Sequence, residues 1–81
     1  MTRDEIYDKL SGYLQDLFEI PAEKIRPEAQ LFQELDLDSI DAVDLVVQLQ
    51  ELTGRKIKPE QFRSVRTVGD VVDQVHALFA P

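Results

Sequence analysis

Cysteine and tryptophan are absent, glycine occurs three times and proline four times, and nine Lys plus Arg face sixteen Asp plus Glu in a chain of 81 residues. Without cysteine there is neither a disulfide framework nor a thiolate metal cage, which suits a reducing cytosol. So little glycine and proline does not make a disordered linker protein. The shortage of basic charge leaves a formal net charge of −7 and argues against nucleic acid or an anionic membrane surface as partner, since either polyanion would be repelled. Basic partners are expected instead. No apolar run approaches the ~20 residues of a membrane-spanning helix. The opening Met1-Thr2-Arg3-Asp4-Glu5 lacks the apolar core of a signal peptide, so a cytoplasmic location without membrane insertion is expected. A chain of this length buries only ~60% of its surface. That leaves room for one core, a single domain over residues 1–81 acting as a monomer, and no walled-off active site.

What is present is helical periodicity. Ile6, Leu10, Leu14, Leu17 and Phe18 recur at helical spacing, and Thr2 followed by Glu5 has the form of a capping box, which predicts a first helix over 3–18. Ile20-Pro21-Ala22 stops it. The stretch up to Leu37 reads as a long loop with apolar anchors at Ile25, Leu31, Phe32 and Leu35, because their spacing is too irregular for one helix. Asp38-Ser39 then opens a helix over 40–52, closed by Thr53-Gly54. Pro59 predicts a short helical segment over 59–62, and Thr67 with Asp70 opens a last helix carrying Val68, Val71, Val72, Val75, Leu78 and Phe79. With no strand-like alternation and no repeat, the expected fold is all-α: a four-helix bundle of three longer helices and one short one, with a long first loop.

Charge is unevenly placed along this chain. Residues 34–51 hold six acids (Glu34, Asp36, Asp38, Asp41, Asp44, Glu51) and no Lys or Arg, whereas residues 55–66 hold five bases and one acid. The second predicted helix is apolar on two sides. Stepping 100° per residue puts Ala42, Leu45, Val46 and Leu49 on a core stripe and Ile40, Val43 and Val47 on the far side, interleaved with Asp44 and Glu51. Acids inside a second apolar stripe describe a docking surface; the plainer alternatives are a solvated face, or cover for Val43 or Val47 from the 59–62 segment. Asp38 and Asp41 oppose the positive end of the helix dipole, and Asp38 is a good N-cap. Ser39 is superfluous beside a capping aspartate. Its hydroxyl projects where free backbone N–H groups welcome a phosphate, unless it is an ordinary first-turn residue.

Catalysis and specific metal binding fail on inventory. His76 is the single histidine, expected at the surface, with no cysteine to pair with. Asp36-Leu37-Asp38 resembles the start of an EF-hand loop, but Ile40, Asp41 and Val47 stand where the third ligand, the glycine and the bidentate glutamate belong. No metal site and no catalytic residue are expected.

The run Leu35-Asp36-Leu37-Asp38-Ser39-Ile40-Asp41-Ala42-Val43-Asp44-Leu45 closely resembles the attachment motif of acyl carrier proteins, Asp-Ser-Leu followed by an acidic, Val/Leu-rich helix. The likeness extends over nearly the whole chain, including Ile57-Lys58-Pro59 and Thr67-Val68-Gly69-Asp70. It implies a non-catalytic carrier of the type II, discrete kind. Ser39 would be esterified with 4′-phosphopantetheine from coenzyme A by a phosphopantetheinyl transferase, and acyl chains would ride on the terminal thiol. By the same resemblance Ile40 matches the family's Leu after the serine, Asp38, Asp41, Asp44 and Glu51 match acidic partner-recognition positions, and Val47 matches an apolar contact position. The partners implied are acyl transferases, ketosynthases, reductases or dehydratases with basic docking patches, in a fatty-acid, polyketide or aryl-polyene-like pathway. Asp36 departs from a frequent glycine, Gln48 and Gln50 dilute the acidic helix, and Arg55, Lys56 and Lys58 make the next loop basic. These departures point away from housekeeping fatty-acid synthesis. An aminoacyl or peptidyl carrier, and an unmodified acidic adaptor binding a basic protein, are the alternative readings.

Overall fold

Each of the three long helices starts from a side chain able to satisfy the orphan N–H groups of a first turn. The computed structural model describes residues 2–58, 60 and 64–79. Thr2 caps α1 (Arg3–Phe18): its hydroxyl accepts from the Glu5 N–H, while the Glu5 carboxylate accepts from the Thr2 N–H at 2.9 Å. The bond from the Thr2 N–H, and after it the nearby Thr2 hydroxyl, lower the pKa of the Glu5 carboxyl. Asp38 caps α2 (Ser39–Thr53) and Thr67 caps α3 (Val68–Leu78), each with the same reciprocal arrangement. Helix ends are equally legible. Gly54 takes the left-handed conformation (φ 67°) that stops α2, and Glu19 does the same after α1 at φ 55°, where a side chain is less comfortable than glycine.

The three helices bury one stripe each against a common core. Ile6, Leu10 and Leu14 come from α1, Leu45, Val46 and Leu49 from α2, and Val68, Val71, Val72 and Val75 from α3. α1 packs chiefly on α3. Among the described residues no polar or charged side chain is buried, so this core is held by apolar burial alone. The all-α expectation holds, with no strand among the described residues. The expected short helix over 59–62 lies outside the described residues.

The long loop is more ordered than its irregular spacing suggests. A single 3₁₀ turn occupies Ala22–Lys24, and Ile20, Ile25, Ala29, Leu31, Leu35 and Leu37 are buried. Backbone bonds stitch it to the start of α3: the Leu31 N–H donates to the Arg66 carbonyl at 2.9 Å, and the Val68 and Gly69 N–H groups donate to Ala29 and Pro27. Glycine suits position 69, because a Cβ there would sit 3.1 Å from the Pro27 carbonyl oxygen, a tight contact that the loop would have to relax by a few tenths of an ångström. Two expected apolar positions prove to be exposed, Leu17 and Phe32. Leu17 lies in the last turn of α1, beside an open groove instead of a packing partner.

The Thr67 box is the joint between loop and bundle. Asp70 accepts from the N–H groups of Arg66 (3.0 Å) and Thr67 (3.1 Å), and these bonds hold its carboxyl below the usual aspartate range. Thr67→Ala should cost about 1 kcal/mol in denaturant unfolding. A depressed native pKa means the unfolded chain binds the proton more tightly. The Asp70 contribution is therefore complete above the unfolded value of roughly 3.9 and is lost as pH falls through the native one. Acid titration of stability should show that loss in wild type and a shallower one in Asp70→Asn.

Candidate functional site

The N-terminus of α2 places Ser39. Asp38 Oδ1 accepts from the Asp41 N–H at 2.9 Å and Asp41 Oδ2 accepts from the Asp38 N–H at 3.2 Å, so the cap is complete without the serine. The first intrahelical bond of α2 runs from the Ala42 N–H to the Asp38 carbonyl. The N–H groups of Ser39 and Ile40 stand ahead of that ladder at the positive end of the helix dipole. Ser39 itself is exposed, and among the described residues nothing hydrogen-bonds its hydroxyl. A phosphodiester on that oxygen would have open solvent around it and two backbone donors beneath it, so these residues fit a phosphate-linked group.

The face beyond Ser39 is apolar and acidic together. Ile40 is 72% exposed, Val43 56% and Val47 43%, so neither valine is covered. Asp44 and Glu51 are exposed on the same side, while Asp41, which completes the capping box, is half-buried. The opposite stripe falls as its spacing predicts, with Leu45, Val46 and Leu49 buried and Ala42 half-buried.

Several residues have duties that their position in the sequence did not reveal. Asp36 adopts a left-handed backbone at φ 56°, two residues before the cap, which explains why glycine suits that turn. Asp36→Gly should raise stability by roughly 0.5–1 kcal/mol, read as a higher urea midpoint at unchanged slope. Gln50 does not simply dilute the acidic helix. Its side-chain oxygen accepts the Ile57 N–H at 2.8 Å and ties the following loop to α2, a role an amide fills without adding charge. Asp16 and Glu19, far from Ser39 in sequence, join Glu34, Asp36 and Asp41, with Lys24 as the one base, around an open groove of about 490 Å³, so acidic groups reach the end of α1. His76 is half-buried in α3 instead of fully at the surface. Among the described residues no cluster of three or more His, Cys, Asp or Glu could hold a metal ion, and no helix is long and apolar enough to cross a membrane.

The site is thus an exposed serine, with no hydrogen bond to its hydroxyl among the described residues, at the start of a helix that carries an acidic and apolar outer face. Residues 8–75 match the family model described as phosphopantetheine attachment site. The chain is 58% identical over 80 residues to acyl carrier protein 2 of Ralstonia nicotianae, covering 99% of each. It is 35% identical over 77 residues to the acyl carrier protein of Coprothermobacter proteolyticus, covering 95% of this chain and 94% of that one. Among solved structures, the acyl carrier protein from Enterococcus faecalis matches with a TM-score of 0.78 at 28% identity, over 95% of this chain and 98% of that chain. The chain belongs to the acyl carrier protein family. It is a non-catalytic carrier, and its prosthetic group is 4′-phosphopantetheine.

Proposed function

We propose that Ser39 is the attachment residue and that residues 1–81 act as one carrier domain, shuttling acyl intermediates between cytoplasmic enzymes of a type II pathway. The observation that carries this is the exposed, unbonded Ser39 hydroxyl at the first position of α2, inside the segment matched by the attachment-site family. A phosphopantetheinyl transferase would join Ser39 Oγ to the β-phosphorus of coenzyme A. The pyrophosphate bond breaks, adenosine 3′,5′-bisphosphate leaves, and the hydroxyl proton passes to the transferase. Once attached, the group supplies a terminal thiol for thioester-bound acyl chains on a flexible arm, at high effective concentration for each enzyme met.

Asp38, Ile40, Asp41, Asp44, Val47 and Glu51 form the recognition face in this reading. Basic patches on the transferase and on acyl transferases, ketosynthases, reductases or dehydratases would meet it in fast, weak, salt-sensitive encounters. Asp36, Gln48 and the basic Arg55, Lys56 and Lys58 favour a dedicated carrier of an accessory pathway, polyketide or aryl-polyene-like, over primary fatty-acid synthesis. The sequence has no cysteine, so a simple assay tests attachment. After incubation with coenzyme A and transferase, and removal of small molecules, the protein should titrate one thiol per chain with a thiol reagent. No thiol would contradict the carrier reading at Ser39. Equal turnover of this carrier and a fatty-acid carrier by primary fatty-acid enzymes would contradict the specialised pathway.

A further inference from the structure

The acidic outer side of α2 ends abruptly in positive charge. Gly54 stops the helix, and Arg55 and Lys56 follow it, both exposed. Their backbone is pinned on either side. The Arg55 N–H donates to Thr53 Oγ1 at 3.2 Å, and that hydroxyl donates to the Leu49 carbonyl at 2.9 Å. Ile57, the next residue on, is buried, and its N–H donates to the Gln50 side chain. The Arg55 guanidinium lies 5.9 Å from the centre of the Phe79 ring, at the end of α3. Two helices therefore stop here together, and the partial negative charges of both termini favour cations at this end. Neither Arg55 nor Lys56 forms an ion pair among the described residues, so the protein itself does not neutralise them.

The 15 residues of α2 span about 22 Å at 1.5 Å each, which puts this pair roughly 20–25 Å from Ser39. An interface of standard size covers about 800 Å² of each partner, roughly 30 Å across, so a footprint centred on α2 reaches both ends. A patch that is basic throughout would gain from Asp44 and Glu51 and lose against Arg55 and Lys56. At about 0.1 M salt the screening length is ~10 Å, long enough for an enzyme's charges at the rim of that footprint to feel the pair.

We propose that Arg55 and Lys56 are the selective pole of this carrier's docking surface, and that the enzymes it serves carry Asp or Glu side chains about 20 Å from the mouth of the active site, beyond the basic patch that meets Asp44 and Glu51. This rests on the carrier reading above and states which enzymes that carrier accepts. The two signs also fix direction. Laid the right way, α2 brings Ser39 to the mouth; turned end for end, it sets like charges against each other at both ends. An enzyme with a basic-only patch is rejected by the same pole.

The test takes wild type, Arg55→Gln/Lys56→Gln and a control, Arg3→Gln/Lys9→Gln, that removes the same two positive charges from α1, so that both variants carry −9 in place of −7. All are loaded with phosphopantetheine and confirmed by intact mass. The probe is a malonyl transferase of primary fatty-acid synthesis chosen for a docking patch that is basic throughout. Its kcat/KM should rise about three- to tenfold for Arg55→Gln/Lys56→Gln, through KM at unchanged kcat, while the control stays within about twofold of wild type. Reversing the Lys and Arg residues of the patch to Glu one at a time should then give at least one enzyme for which the order inverts and wild type is the better substrate. If the double variant does not fold, Lys56→Gln alone carries the comparison. Equal kcat/KM for wild type and the folded variant, an equal gain in the control, or no inversion across the set would overturn the pole alone. A missing mass increment on wild type would overturn the attachment reading and the pole with it.

Discussion

Ser39→Ala is expected to abolish loading with phosphopantetheine while leaving the fold and stability essentially unchanged. The capping duty belongs to Asp38, whose carboxylate already holds the Asp41 N–H, so no helix-starting bond is lost with the serine. The Ser39 side chain is exposed and makes no hydrogen bond among the described residues, so its removal leaves neither a cavity nor an orphaned donor. Alanine is also the better helix former. Denaturant midpoints should agree within about 0.5 kcal/mol, whereas loading should fall from complete to none. A variant that unfolds would show that the serine is structural. A variant that still acquires the group would place attachment elsewhere.

The second large effect is kinetic. Asp44→Lys with Glu51→Lys should slow transfer to and from partner enzymes by about 10- to 100-fold at low ionic strength, with little change in melting temperature. Both residues are exposed on the outer side of α2, and two reversals of +2 each take the formal charge from −7 to −3. Glu51 lies near the C-terminal end of α2, where a lysine complements the helix dipole, which offsets part of any loss. Raising salt from about 0.1 M to 1 M shrinks the screening length from ~10 Å to ~3 Å and should bring wild type down toward the variant. Asp38 and Asp41 are poorer probes of the same idea. Their carboxylates hold the capping box, so removing either loses a cap as well as a charge. Transfer rates for the double variant equal to wild type at low salt would remove Asp44 and Glu51 from the docking face.

Much of this was legible in the residues because it depended on local rules. Thr2 with Glu5, Asp38 ahead of Ser39, Gly54, and Thr67 with Asp70 mark where helices begin and end, and the observed boundaries fall at or within a residue of those signals. The two-sided character of α2 followed from its period alone. What stayed hidden lies in the loops, where no period assigns a residue to a face. The 3₁₀ turn at Ala22–Lys24 is too short to show one, and Phe32 reads as an anchor beside Leu31 and Leu35, although it is half out in solvent. Gln50 could be understood only once Ile57 was seen to fold back onto it, a contact across the end of the helix. Asp36 carried a faint signal in the glycine it replaces; the left-handed backbone supplies the reason.

The central claim is that Ser39 bears the group through which this chain acts. Intact-mass measurement of wild type and Ser39→Ala, before and after incubation with coenzyme A and an active broad-specificity transferase, tests it most directly. One phosphopantetheine increment on wild type and none on the variant is the predicted result; no increment on wild type, or an increment on both, would contradict it.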